Sequence, residues 1–438
     1  MQSRSTRRHF LMSAAALGAA GLGVRPSLAL ADKKPAPSER LRVGAIGIAG
    51  QGAGDLASIA AAGAEIVALC DVHEDRAEVV NYRKRFDKAK FYTDFRKMID
   101  AGGLDAVMVA TPDHTHAPAT LAALRANLHA FCEKPLTHTV EEARLVAETA
   151  AKMKRVTQMG TQIHAGGNYR RVVELIQGGA IGPVREAHVW VGKDWGGGDR
   201  PKDTPPVPKG LHWDLWLGPV AERPYHPIYV PANWRRFWVF GGGTLNDMAC
   251  HYMDLPFWAL KLRHPTHVEA EGPKPHAETA ARQLIVRYQF PERGSMPACK
   301  LNWYDGGKRP KQVTDGSLGI KWGGDGVLFV GDKGMLIADY GSYRLLPEEK
   351  FKGFTPPKQT IPNSIGHYKE WVEACKSNGP TTCNFDYSGA LTESVLLGTV
   401  AYRLGKPFDW DGKTLKASEP DAERFLRKAY RKGWELGA

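Results

Sequence analysis

From residue 41 onward the chain alternates short apolar runs with longer amphipathic stretches. Leu41–Ile46, Glu65–Cys70, Asp105–Ala110, Ala130–Cys132 and Val156–Met159 have the length and composition of buried strands. Between them Asp55–Ala62, Ala117–Ala126 and Thr137–Lys152 place apolar residues at helical spacing. The last of these starts acidic and ends basic, as the helix macrodipole prefers. This alternation predicts an α/β fold in which a doubly wound parallel sheet, with helices on both faces, spans residues 41–160.

Past residue 160 the pattern changes. Val184–Val191, Ala281–Phe290 and Ala298–Tyr304 read as sheet strands, and Gly326–Tyr340 as a hairpin turning at Asp332-Lys333-Gly334. Helices are expected near Tyr169–Gln177, Ile365–Ser377 and Ala390–Leu404. Residues 161–438 therefore read as a second region that mixes strands and helices. It includes a long irregular stretch, residues 192–240, containing Trp195, Trp213, Trp216, Trp234 and Trp238. Loops of that length in compact domains are usually functional. The tryptophans suit either the C–H faces of a sugar or the gluing of the loop to its core.

A chain of 438 residues is comfortable for two domains. Lys plus Arg outnumber Asp plus Glu by 59 to 47, but the basic residues are scattered, which argues against a nucleic-acid partner. At the start, Ser5-Thr6-Arg7-Arg8-His9-Phe10-Leu11 precedes a mild apolar run, Leu11–Val24, and then Ala29-Leu30-Ala31. That order is a twin-arginine signal peptide over residues 1–31, followed by a linker, 32–40, and it predicts export to the periplasm. The apolar run is too short for a membrane anchor. The six cysteines show no C-x-x-C and no metal-ligand spacing, and no metal is expected. Cys70 and Cys132 belong to buried strands, whereas Cys375 and Cys383 could pair in an oxidising compartment or stay free.

The candidate chemistry lies at the ends of the predicted strands. Gly47-Ile48-Ala49-Gly50-Gln51-Gly52 joins strand to helix as a dinucleotide fingerprint requires, with Ala49 where the second glycine belongs. Asp71 ends the next strand, where a carboxylate accepts bonds from ribose hydroxyls and repels a 2′-phosphate, so NAD is favoured over NADP. Glu133-Lys134-Pro135 stops the strand of Phe131, and a lysine desolvated in a cleft moves toward neutrality and can transfer protons. His114-x-His116 follows another strand and is read as lining the cofactor cleft. In Gly241-Gly242-Gly243-Thr244-Leu245-Asn246-Asp247-Met248-Ala249-Cys250-His251 a helix places Asp247 and His251 four apart on one face, the carboxylate orienting a general base.

The glycine turn, Asp71, Ala-Thr-Pro-Asp-His-Thr-His (110–116) and Glu-Lys-Pro (133–135) together resemble the glucose–fructose oxidoreductase, inositol dehydrogenase and MocA family. The resemblance implies a Rossmann domain over 41–160 followed, over 161–438, by an α/β domain with a large open mixed sheet, and catalytic roles for Lys134, Asp247 and His251. It implies cofactor contacts from Gly47, Ala49, Gly50, Gln51, Gly52, Asp71, Thr111, Pro112, His114, His116, Glu133, Lys134 and Gln162. It further implies an NAD-dependent oxidoreductase acting on a hydroxyl of a sugar, glycoside or polyol, assembled as a homodimer or homotetramer. Lys134–Ala143 and Met159–Gln162 resemble a subgroup linked to 3-keto-glycosides, which points to C3. A periplasmic enzyme has no NAD pool to draw on, so the cofactor would stay bound and be recycled by a second substrate. The alternative is a redox-neutral glycosidase that oxidises C3 transiently, and a sugar-binding protein on a retired enzyme fold is a third reading.

Overall fold

The structure, a computed structural model, describes residues 40–437; the twin-arginine segment and nearly all of the linker lie outside them. The first sheet holds β1 (Arg42–Ile46), β2 (Glu65–Cys70), β3 (Lys90–Tyr92), β4 (Ala106–Val109), β5 (His129–Cys132) and β6 (Thr157–Met159). All pairs are parallel and the order is β3-β2-β1-β4-β5-β6. The strand order reverses between β1 and β4, and in open α/β sheets a ligand crevice forms outside the carboxyl ends of the strands at that point. Val43, Ala45, Ile46 and the whole of β4 are buried, as expected of strands covered on both faces.

The second sheet is mixed. Its strands are β7 (Val184–Trp190), β8 (His267–Glu271), β9 (Ile285–Phe290), β10 (Cys299–Tyr304), β11 (Gly326–Gly331), β12 (Gly334–Ala338), β13 (Tyr343–Leu346), β14 (Phe408–Asp411) and β15 (Lys416–Ala417). Their order is β13-β12-β11-β7-β10-β9-β8-β14-β15, and only β7 and β10 run parallel. The hairpin turn falls at Asp332-Lys333, between β11 and β12. The buried helix Phe385–Leu404 begins earlier than its apolar run suggests because Asn384 caps it, accepting from the Tyr387 N–H.

One helix crosses the expected domain boundary. His367–Ser377 buries Trp371 and Val372 in the same core as Val43, Leu56, Ile59 and Phe131. Trp371 meets Phe131 edge-on at 5.6 Å between ring centres, and Gln158 of β6 donates to the His367 carbonyl at 2.7 Å. The Rossmann half is thus completed by residues far down the chain. All six cysteines are free and buried, Cys375 and Cys383 included. Among the described residues no helix is long and apolar enough to cross a membrane.

Candidate active site

The glycine turn is shaped by close approach. Gly47 has φ of 79°, and a Cβ there would lie 2.6 Å from the Ala110 carbonyl oxygen. At Gly52 a Cβ would lie 2.0 Å from the Gly47 carbonyl, so neither position admits a side chain. Gly50 precedes the helix Gln51–Ala61, which has no side-chain cap and no acid in its first turn. Its N-terminal N–H groups are therefore left for an external anion such as a pyrophosphate. Asp71 closes β2, its two oxygens accepting from the backbone N–H groups of Ile48 and His73, both at 3.0 Å. Burial raises this carboxyl while those two bonds hold it down. Spare lone pairs remain for ribose hydroxyls. Beside the turn, Arg76 pairs with Glu78, whose carboxylate accepts from the Gly50 N–H at 3.2 Å. An uncapped helix end, a tight glycine crossing and an acid at the end of β2 fit a dinucleotide.

A cleft of about 1010 Å³ runs from this turn into the second domain. Gly47, Ala49, Gly50, Gln51, Asp71, Thr111, Pro112, Glu133, Lys134, Gln162, Asp247 and His251 all line it. Most of the sequence-derived site is therefore brought together in one cleft. Leu211, Trp216, Tyr225 and Trp234 from the irregular stretch line the same cleft.

The chemical centre is Asp247. It lies on the helix Gly243–Tyr252, which starts after the glycine run. Lys134 Nζ donates to its main-chain carbonyl at 2.7 Å and to Oδ1 at 2.8 Å. Arg235 Nε donates to Oδ1 at 3.1 Å, Trp195 Nε1 to Oδ2 at 2.7 Å, and Lys193 Nζ lies 2.8 Å from Oδ2. Burial works against this carboxylate, but Lys134, Arg235 and Lys193 outweigh it and hold Asp247 well below its usual range. Lys134 reverses the expected shift. Its desolvation lowers the ammonium pKa, yet Asp247 and Glu133 more than compensate, and the net shift is upward. The Lys134 ammonium is thus a fixed cation and hydrogen-bond donor.

Asp247 makes no hydrogen bond to His251, its oxygens being taken by the cations and Trp195. The expectation that it fixes the imidazole through such a bond is corrected on this geometry. His251 faces the same cleft, and burial followed by the Lys134 charge pulls it down to about 3. It is a neutral imidazole near pH 7, its protonated form disfavoured by burial and by the Lys134 charge.

The two histidines after β4 stand behind the wall. His114 is packed between Trp216 and Phe240, with Nε2 2.9 Å from the Trp216 carbonyl. His116 spans the carbonyls of Thr111 and Pro135, each at 2.7 Å, and so pins the turn after β4 to the Glu-Lys-Pro turn. Neither lines the cleft; they shape it from beneath.

Several residues of the site carried little signal in the sequence. Asp113, beside the expected Thr111 and Pro112, is buried on the cleft wall, and burial pushes its carboxyl up to about 7 against the pull of Arg235 and Lys134. Beneath the glycine turn, Asp55 Oδ1 accepts from Tyr368 at 2.6 Å and Gln51 at 2.9 Å. Gln162 Nε2 donates to Glu133 at 2.7 Å, and burial raises both Asp55 and Glu133. An acid amid the apolar positions Leu56 and Ile59 was a visible clue to Asp55. Nothing local marks Tyr368, Lys193 or Arg235, and Trp195 stands out only as one of five tryptophans in the irregular stretch. Trp195 anchors Asp247, and Trp213, Trp216 and Trp234 pack with Tyr229 and Phe237 in one cluster.

The comparisons with known proteins agree with this geometry. The oxidoreductase-family model for the NAD-binding Rossmann fold matches residues 41–161, and that for the family's C-terminal α/β domain matches 182–297. The chain belongs to the Gfo/Idh/MocA oxidoreductase family. An inositol 2-dehydrogenase of Salmonella paratyphi B is 32% identical over 34% of this chain and 45% of its own length. An alpha-N-acetylgalactosaminidase of Shewanella oneidensis is 29% identical over 41% of this chain and 44% of its own. The matches thus span less than half the length of these relatives. Among solved structures, GenD2 from gentamicin A biosynthesis, in complex with NAD, shares the fold with a TM-score of 0.59 at 18% identity, covering 90% of this chain and 100% of that one.

Proposed function

We propose that this family member oxidises a hydroxyl of a sugar, glycoside or polyol with NAD as its cofactor, C3 of a glycoside being the first position to test. The observation that carries the reading is a neutral His251 and a charged Lys134 lining the same cleft that starts at the glycine turn. NAD, when bound, supplies the two-electron acceptor. His251 takes the hydroxyl proton. Lys134 donates a hydrogen bond to the same oxygen and stabilises the charge that develops there, inside a cleft that excludes much of the water. Asp247 keeps that ammonium charged and aimed. The matched inositol 2-dehydrogenase supports a polyol or sugar substrate. The twin-arginine segment motivates a cofactor that stays bound and is recycled by a second substrate in the periplasm.

The resemblance to an alpha-N-acetylgalactosaminidase favours a second reading, in which oxidation is transient and the glycosidic bond is cleaved. Mass spectrometry of methyl and aryl glucosides, incubated with purified protein carrying its own nucleotide, separates the two. A product two hydrogens lighter that requires a keto-sugar acceptor supports the oxidoreductase; free aglycone with unoxidised sugar supports the glycosidase. Near wild-type turnover in Lys134→Ala or His251→Ala would sink both.

A further inference from the structure

A second cavity, of about 450 Å³, lies behind the helix that carries Asp247. Asn246, the residue before Asp247, lines it, together with the helix Phe385–Leu404 and the segment around 424–429. Its charge is one-sided. Arg223, Arg403, Arg424, Arg427 and Lys428 line the cavity against a single acid, Glu278, which is paired with Arg200.

Two of the cations are already neutralised. Arg427 pairs with Glu423 at 2.9 Å, and Lys428 with Glu142 at 2.8 Å. Arg223, Arg403 and Arg424 differ: no carboxylate among the described residues pairs with any of them, and their guanidinium groups rest on aromatic faces. Arg403 and Arg424 lie over the same Phe425 ring, 4.4 and 4.6 Å from its centre, and Arg403 also faces Trp238 at 5.1 Å. Arg223 faces Phe240 at 5.4 Å, and its Nε is buried without a hydrogen-bond partner. Burial, then the like charge of Arg424, pulls Arg403 down to about 10. Two guanidinium groups sharing one ring with no acid between them cost free energy that a bound anion would offset. The neighbouring helix Val140–Met153 adds nothing to this field, because Thr139 and Glu142 close a capping box over its first turn.

We propose that this cavity is a binding site for a small anion, a phosphate or carboxylate on a compact body, held by Arg403 with Arg223 and Arg424. Apolar walls from Val140, Leu396 and Val400 suit the uncharged part of such a molecule, and planar guanidinium groups match both oxyanions in bidentate geometry.

Isothermal titration with inorganic phosphate and with glucuronate, glucose serving as the neutral control, tests this without depending on the proposed reaction. The expected result is saturable binding of at least one anion, with any binding of glucose, a candidate ligand of the first cleft, left unchanged by Arg403→Met. Arg403→Met should weaken the anion binding by about tenfold or more, while Arg235→Met, in the catalytic cleft, leaves it unchanged. Should Arg403→Met not fold, the exposed Arg424→Met carries the same test. Absence of saturable binding for both anions overturns the proposal, as does binding kept at full strength in the Arg403 and Arg424 variants, whatever Arg235→Met does.

Discussion

Lys134 Nζ holds both the main-chain carbonyl and the carboxylate of Asp247, at 2.7 and 2.8 Å, so one ammonium ties the end of a Rossmann strand to the helix Gly243–Tyr252 of the second domain. Asp247→Asn keeps the shape and removes the charge. Without that charge, burial and Arg235 act on Lys134 with less opposition and its pKa falls. The alkaline limb of kcat/KM should move to lower pH, and kcat should drop by about 10²–10³. An unmoved limb would mean that Asp247 acts on something other than Lys134. Leaving Lys134 and Arg235 without their shared acid should also cost roughly 3–5 kcal/mol of stability, read from a urea midpoint.

Asp113 gives a pH signature of its own. Its carboxyl sits at about 7 in the fold against 3.8 for the free group, so the native state holds the proton more tightly. A raised acid contributes stability below its unfolded value and loses that contribution as pH rises through about 7. Asp113→Asn should therefore melt higher than the wild type at pH 8, by up to about 4 kcal/mol of stability, and show little gain at pH 4. The same variant should flatten any inflection of kcat/KM near neutrality.

Much of this site was open to inspection in the sequence because its parts sit where chain geometry forces them. A glycine turn, an acid ending β2 and a proline ending β5 each follow from strand and turn rules that need no tertiary knowledge. The ionisation states were not accessible in that way. Lys134 becomes more basic because of a carboxylate more than a hundred residues away, and His114 leaves the cleft because Trp216 and Phe240 enclose it. Asp55 and Tyr368 meet across 313 residues. Long-range pairing of polar groups has no sequence period, so it appears only once the chain is folded.

The proposed function makes Asp71 the residue on which cofactor choice rests. Replacing it with Ser or Arg removes the charge that repels a 2′-phosphate, and Arg76 stands close by on the cleft wall. The ratio of NAD to NADP affinity should fall by about tenfold or more in Asp71→Arg, measured by nucleotide titration. An unchanged ratio would remove Asp71 from the ribose site.

Trp371 is wholly buried against Phe131 in the Rossmann core. Trp371→Ala should lower stability by about 3–5 kcal/mol, the loss expected for a large aromatic in a closed core, and a denaturant midpoint reads it directly.

That contact also sets a timetable for synthesis. When the ribosome has released β6, every strand of the nucleotide sheet is made, but Phe131 lacks the residues that cover it until the helix His367–Ser377 emerges. At about 5–20 residues per second the wait is on the order of tens of seconds. During it the nascent chain presents an apolar face to chaperones and proteases, and a message truncated before that helix yields a nucleotide domain that cannot close.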